Sequence, residues 1–295
     1  MRYQAIQRQA AIYPARSLCR LLGVSASGYY AWRLRPESGR QCANREIVEM
    51  MRRIHEEVKQ TYGSPRMQRE LVARGYRCGH NRVAALMRQQ GLVAKMTVRF
   101  RRTAKAGHRE QVVPNRLDRQ FRVATPNQVW AADITYIPTQ AGFVYLAVVI
   151  DLFSRRVVGW AMHSRLSAQL VAEALSQAYH RRHPAAGLLH HSDQDSLYSS
   201  LVYQHLLTEL EMTASMSRKG NCYDNACVES FFASLKTELV AFERFATRAE
   251  AQEALFRWIE LFYNRVRRHS TLGYHSPVDF EQRTHQLRIS VHQDG

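Results

Sequence analysis

At residue 127 the period of the hydrophobic pattern changes, and no other feature of the chain restricts its fold as much. Upstream, apolar side chains recur three and four residues apart; downstream they alternate or run unbroken, as in half-buried and fully buried strands. Strands are expected over 128–138, 143–150 and 156–162, separated by turns at 139–142 and 151–155. Helical spacing returns over 168–182, followed by a short strand at 188–191, a helix at 199–211, a strand at 213–216 and a helix at 225–239. Three strands in a meander, continued by alternating strands and helices, predict an α/β domain: a mixed five-stranded sheet with helices on its faces. One more helix, 248–265, leads into a basic segment.

The part before the switch has another character. Residues 1–125 carry 26 Lys and Arg against 8 Asp and Glu, residues 126–295 carry 16 against 17, and the net charge of +17 therefore resides in the front. Such asymmetry predicts a polyanion-binding front end joined to a domain of different chemistry, and the excess of Arg over Lys favours phosphate. Residues 15–33 read as a helix with Leu18, Leu21 and Leu22 on one face, a turn at Gly23, and a second helix capped by Ser25. That is the helix-turn-helix pattern, in which the second helix enters the major groove; an ordinary helical hairpin is the competing reading. Residues 38–44 look like a polar linker. Three more helices are expected within 45–93, from Ile47, Met50, Met51 and Ile54, from Met67 and Leu71, and from Val83, Leu86 and Met87. Arg66 and Arg82 lie on their expected exposed faces as DNA contacts. Residues 95–122, with Arg101 and Arg102 and little periodicity, read as a basic linker tracking a phosphate backbone. The expected organisation is a helix-turn-helix segment (1–40), a helical DNA-binding module (41–94), a basic linker (95–124), the α/β core (125–285) and a tail (286–295).

Five cysteines without a C-x-x-C pair fit reduced thiols rather than disulfides or zinc. The longest clean apolar run, 143–150, is far shorter than the roughly 20 residues a membrane helix needs. A cytoplasmic protein in contact with the nucleoid, with no membrane partner, is expected.

Three acids in the core point to chemistry. Asp133 falls in mid-strand, Asp193 at the end of another strand, and Glu229 on a helix, with 35 residues between the last two and Lys236 seven residues further on. In a meander continued by right-handed crossovers, the two aspartate-bearing strands can lie side by side. Glu229 sits about 100° from the centre of the stripe formed by Val228, Phe231, Phe232, Leu235 and Leu239, beside the buried face rather than in it. Lys236 is two turns along, roughly 10 Å away, a distance that suits a substrate phosphate. Carboxylate oxygens are hard donors for Mg²⁺ or Mn²⁺, and a pair of such ions suits in-line displacement at phosphorus. Asp151, between an apolar strand and Ser154-Arg155, reads as a turn former. Arg265, Arg267 and Arg268 are expected to hold DNA near the core, with Arg155, Arg218 and Lys219 as further candidates.

The stretches WAADITYIPT, HHSDQDSLYSS and SRKGNCYDNACVESFFASLKTEL resemble the three catalytic stretches of integrase-like DDE transposases of bacterial insertion sequences. The similarity is to the product of the downstream frame in two-frame elements. YNRVRRHSTLGYHSPVDF resembles that family's closing motif, and YGSPRMQRELVARGY its amino-terminal helical module. The resemblance implies a ribonuclease-H-like, retroviral-integrase-type core in which Asp133, Asp193 and Glu229 are the metal-binding triad and Lys236 contacts DNA. It implies metal-dependent cleavage and strand transfer at element ends, with two Mg²⁺ or Mn²⁺ ions per site. The implied partners are DNA, further copies in a dimer or larger synaptic complex, and a short upstream-frame protein. In one place the sequence departs from the pattern: Asp195 stands where the family has glycine, two residues past the second aspartate, and could disturb the metals. A catalytically impaired DNA-binding regulator derived from a transposase is the alternative, and a nuclease on the same fold a third.

Overall fold

A computed structural model describes residues 2–95, 113–218 and 222–293. Its centre is a five-stranded mixed sheet. β1 (Val129–Thr139), β2 (Gly142–Asp151) and β3 (Val157–His163) form an antiparallel meander, and β4 (Leu189–Ser192) and β5 (Thr213–Met216) extend it in parallel on the other side of β1, giving the order β3-β2-β1-β4-β5. The expected strands, sheet and order of elements are all present.

Alternation along the strands sorts the core into two layers. Trp130, Ala132, Ala147, Val149 and Val158 pack beneath α7 (Ala168–Arg182) and α9 (Leu201–Glu209), with the short α8 (Ser196–Ser199) between β4 and α9. Ala131, Ile137, Leu146, Val148 and Ile150 face α10 (Ala226–Leu235) and α11 (Arg248–Phe256). β3 accommodates α7 through Gly159, where a Cβ would run into the carbonyl oxygen of Ala174 and the backbone of Ala178.

In front of the core, α1 (Arg2–Gln9), α2 (Ala15–Leu21) and α3 (Ala26–Leu34) close on a small cluster of Ile6, Cys19 and Tyr29. Gly23 takes φ +63°, and Ser25 caps α3 by accepting from Gly28 N at 3.1 Å. Leu21 departs from its expected place: it is 81% exposed, and Leu18 and Leu22 supply the packing. The supposed linker at 38–44 is helix. Ser38 forms a capping box with Gln41 and starts α4 (Gly39–Glu57), which with α5 (Ser64–Ala73) and α6 (His80–Gln89) makes the second module. Its buried residues, Ile47, Met51, Ile54, Met67, Leu71, Val83, Leu86 and Met87, match the periodicity and belong to the same hydrophobic cluster as the α10 side of the sheet.

The end of the chain differs most from expectation. Helix 248–265 winds as α11 and then as a π-helical turn, Arg257–Tyr263. A further helix that spacing did not predict, α12 (Pro277–Gln293), follows, beginning within the expected core and running into the expected tail at 286–295. Glu281 fastens it by accepting from Ser154 (2.7 Å), Arg156 (2.8 Å) and Arg182 (2.8 and 3.0 Å). Cys19, Cys42, Cys78 and Cys227 are free thiols. No helix among the described residues is long and apolar enough to cross a membrane.

Candidate active site

β1 and β4 run parallel in the register Val129–Leu189, Trp130–His190, Ala131–His191. Two residues further along each chain stand Asp133 and Asp193, so the register carries them to the same level at the C-terminal end of β4. Both are half-buried. The Asp133 carboxylate accepts from Ile134 N at 2.7 Å, and that of Asp193 from Asp195 N at 3.2 Å. The third acid arrives on α10, whose buried face is Val228, Phe231, Phe232 and Leu235. Asn225 pins the start of this helix to β1 by donating to the carbonyl of Ala132 at 3.2 Å, next to Asp133. Glu229 follows in the first turn, half-buried as its angle to the apolar stripe predicts. Among the described residues, no three His, Cys, Asp or Glu side chains gather closely enough to hold one metal ion. The donor chemistry nevertheless fits a hard divalent cation, because all three candidates offer carboxylate oxygens and none offers sulfur or imidazole.

Lys236 stands seven residues past Glu229, where the helix ends. The helix passes into a π turn, Lys236–Val240, and the ammonium lies 5.2 Å from the centre of the Tyr136 ring. Burial lowers its pKa, and the charge of Asp133 opposes that shift.

Asp195 does not require glycine-like backbone. Its φ is −72°, and its carboxylate caps α8 by accepting from Leu197 N at 3.2 Å. Behind the aspartates lies a buried polar layer. His190 meets the Tyr203 hydroxyl at 3.1 Å, and His191 bridges Ser215 (2.9 Å) and Ser217 (3.2 Å). Burial pushes His190 down to about 3 and His191 to about 4, so both are neutral near pH 7. Asp151 is a turn residue as read from sequence. It is fully buried, accepts from Asn127 N (2.8 Å) and Phe153 N (2.9 Å), and stands 3.5 Å from Arg182. Loss of hydration raises its carboxyl to about 6.

Comparison with known proteins shows the family. The integrase core domain family matches residues 124–222, a second integrase core model matches 210–277, and an HTH-like domain matches 42–100. The transposase InsF for insertion sequence IS3A of Escherichia coli (strain K12) is 42% identical over 285 residues, covering 96% of this chain and 99% of that protein. The chain belongs to the IS3-type insertion-sequence transposases. An uncharacterised 31 kDa protein of insertion element IS600 from Shigella sonnei is 41% identical, over 92% of this chain and 99% of its own length. Among solved structures, the catalytic core of BIV integrase is similar at 19% identity and TM-score 0.41, over 55% of this chain and 99% of that one. The HTLV-2 integrase core in complex with magnesium is similar at 17% identity and TM-score 0.42, over 54% and 99%.

In the transposase, several arginines expected at DNA are held within the protein. Arg267 is 4% exposed and binds Glu238. Arg268 binds Glu70 (2.5 Å) and the carbonyl of Tyr274 (2.8 Å), while its own N–H donates to the Tyr62 hydroxyl (2.8 Å). Arg66 lies over the Tyr62 ring and 3.6 Å from Glu238. Arg66–Glu238 and Arg268–Glu70 join the helical module to the core, Arg267–Glu238 fastens two parts of the core itself, and of the three guanidinium groups only that of Arg267 is buried. Arg82 donates to Asn44 (2.8 Å), and Arg155 to the carbonyl of Phe121 (3.0 Å) and to the Cys227 sulfur. Arg218 is half exposed and donates to Asp224, whose carboxyl its hydrogen bonds hold far below the usual range. Arg265 is exposed. Arg101, Arg102 and Lys219 lie outside the described residues.

The sequence reading gave no role to Asn225, Asp224 or Tyr198. Asp224 is fully buried and also collects Asn115 (2.9 Å) and Arg119 (3.1 Å) from the segment entering the core. All three lie inside the motif stretches already singled out. That position was the available signal, but a motif does not say which member anchors and which reacts.

Proposed function

We propose that this transposase cuts and rejoins DNA at the ends of its insertion sequence, with Asp133, Asp193 and Glu229 as ligands of Mg²⁺ or Mn²⁺. The observation that carries the reading is the placement of Asp133 and Asp193 at one level on adjacent parallel strands, with the Glu229 helix anchored by Asn225 beside Asp133. One carboxylate on a strand, one just past the end of the neighbouring strand and one on a helix with a buried face give the three candidates rigid supports. A bound pair of such ions would supply the positive charge that activates an attacking hydroxyl and stabilises the leaving oxygen. The protein's own groups orient the substrate: Lys236 offers a half-buried cation next to Asp133, and the exposed Arg265 meets backbone phosphate. Joining two ends calls for at least two copies in one complex, and an upstream-frame protein would add recognition of the ends.

The test uses a supercoiled plasmid carrying the native flanking DNA, incubated with the protein and Mg²⁺ or Mn²⁺, with strand ends mapped. Metal-dependent nicks bearing 3′-hydroxyls at the element ends, lost in Glu229→Gln, are expected. DNA binding without any metal-dependent product, with the upstream-frame protein present, would overturn the reading in favour of a DNA-binding regulator.

A further inference from the structure

Half of the Asn225 side chain serves the fold and half does not. Its amide nitrogen donates to the carbonyl of Ala132 at 3.2 Å, while its oxygen is buried with no hydrogen-bond partner among the described residues. The residue as a whole is 5% exposed. Chemistry fixes which atom faces which way: a carbonyl only accepts, so the NH₂ must meet Ala132 and the oxygen must point elsewhere. Asn225 stands at the N-cap of α10, yet its side chain makes no capping bond to that helix. A buried acceptor left in this way is costly, because its bonds to water are lost and nothing replaces them.

The surroundings of that oxygen say what it could hold. β1 and β4 last pair at Ala131–His191, and Ala132 is the next residue of β1. Asn225 therefore meets the sheet where the two strands part, one residue from Asp133. Alternation puts Ala131, Asp133 and Ile137 on one face of β1, and Ala131 and Ile137 pack in the layer that contains α10. Asn225 begins α10, and Glu229 follows one turn along it. Asp133, Asn225 and Glu229 thus lie on the same side of the sheet, and the bond to Ala132 ties their two supports together. An amide oxygen, like a carboxylate, is a hard donor for a divalent cation, and it adds a ligand without adding charge.

We infer that the Asn225 carboxamide oxygen is a further ligand for the divalent ion that Asp133 and Glu229 would hold, in addition to the part its nitrogen plays in fastening α10. The inference rests on the reading of those two acids as metal ligands. It gives the buried, unpaired oxygen a partner that arrives with the metal.

Mn²⁺ binding to the full chain without DNA, followed by calorimetry, tests it alongside melting temperatures in the absence of metal. Asn225→Ala and Asn225→Asp both lose the donor to Ala132, so both are expected to melt below the parent. Their metal affinities should part. Asn225→Ala lacks the oxygen, and its Mn²⁺ dissociation constant is expected to weaken about 10- to 100-fold, the scale on which groups supporting a metal site act. Asn225→Asp keeps an oxygen in the same place and should bind at least as tightly as the parent. The double variant Asn225→Ala with Ala226→Asp supplies the same charge one residue away and should stay weak. Parent-like affinity in Asn225→Ala overturns the inference. So does equal weakening in both single variants, which would leave Asn225 as an anchor only, or full recovery in the double variant, which would make charge alone sufficient. If the parent binds no Mn²⁺, or Glu229→Gln binds it equally well, the metal-ligand reading has itself failed and the inference falls with it.

Discussion

Arg267 grips Glu238 at two points, Nε to Oε2 at 2.7 Å and Nη2 to Oε1 at 2.6 Å, with both side chains almost wholly removed from solvent. A third bond runs to the Ser234 hydroxyl at 2.9 Å. The pair ties the segment after the π turn at Arg257–Tyr263 to the end of the helix that bears Glu229. Removing one member of a buried ion pair strands the other charge, which typically costs about 3–5 kcal/mol. Arg267→Ala is therefore expected to lower the urea midpoint sharply, while the fraction that remains folded keeps its DNA affinity and salt dependence. Arg265→Ala, on the exposed neighbour, should leave the midpoint unchanged and reduce the slope of log affinity against log salt by about 1. The opposite pattern would return Arg267 to the DNA.

Gly159→Ala places a methyl group against the backbone of α7, where Ala174 and Ala178 leave no room. Backbone cannot rotate aside as a side chain does, so β3 and α7 must separate. A loss of about 1–3 kcal/mol is expected, the range for overpacked cores. A thermal melt matching the parent would refute the close approach.

Asp195→Gly should not improve the enzyme. The backbone there is ordinary, and the carboxylate caps α8. Replacing such a cap with glycine costs a few tenths of a kcal/mol. Plasmid cleavage and Mn²⁺ affinity are both expected to match the parent. A large rise in either on restoring glycine would show that Asp195 disturbs the metals after all.

Stability should fall on mild acidification. His190 and His191 stay neutral in the native state down to about pH 3 and about pH 4, and burial holds His269 well below its ordinary range as well. Below about pH 6.5 the unfolded chain takes up those protons and the native chain does not, so each imidazole removes about 1.4 kcal/mol per pH unit. Asp151 runs the other way: its carboxyl, raised to about 6, keeps a proton in the native state that the unfolded chain releases. Burial lowers His55 and His275 as well, so the imidazoles outnumber the one raised carboxyl and a net uptake of protons on unfolding near pH 5 is predicted. Urea titrations between pH 7 and pH 5 should show the decline, and His191→Asn should make it shallower. A flat profile in the parent contradicts the assignment.

Much of this was legible in the sequence because periodicity is a local property. The five strands, the helix at 168–182 and the apolar residues of the helical module followed from spacing alone. So did the adjacency of the Asp133 and Asp193 strands, since a meander followed by a right-handed crossover leaves few other arrangements. α12 escaped notice because its firmest attachment is Glu281, which reaches Ser154, Arg156 and Arg182 more than ninety residues away. The supposed linker at 38–44 failed for a smaller reason: the Ser38–Gln41 capping box was read as polar spacer.

By itself, then, the sequence determined the five strands and the helices with clear apolar periodicity, which acids the core presents, and that the front is basic. Only the tertiary structure decided where the basic charge goes. A guanidinium contributes the same charge whether it faces phosphate or is buried against a carboxylate, and Glu70 and Glu238 are remote in sequence from the arginines they hold. Their distance in space, which sequence spacing does not encode, separates arginines that hold parts of the protein together from those left exposed, such as Arg265.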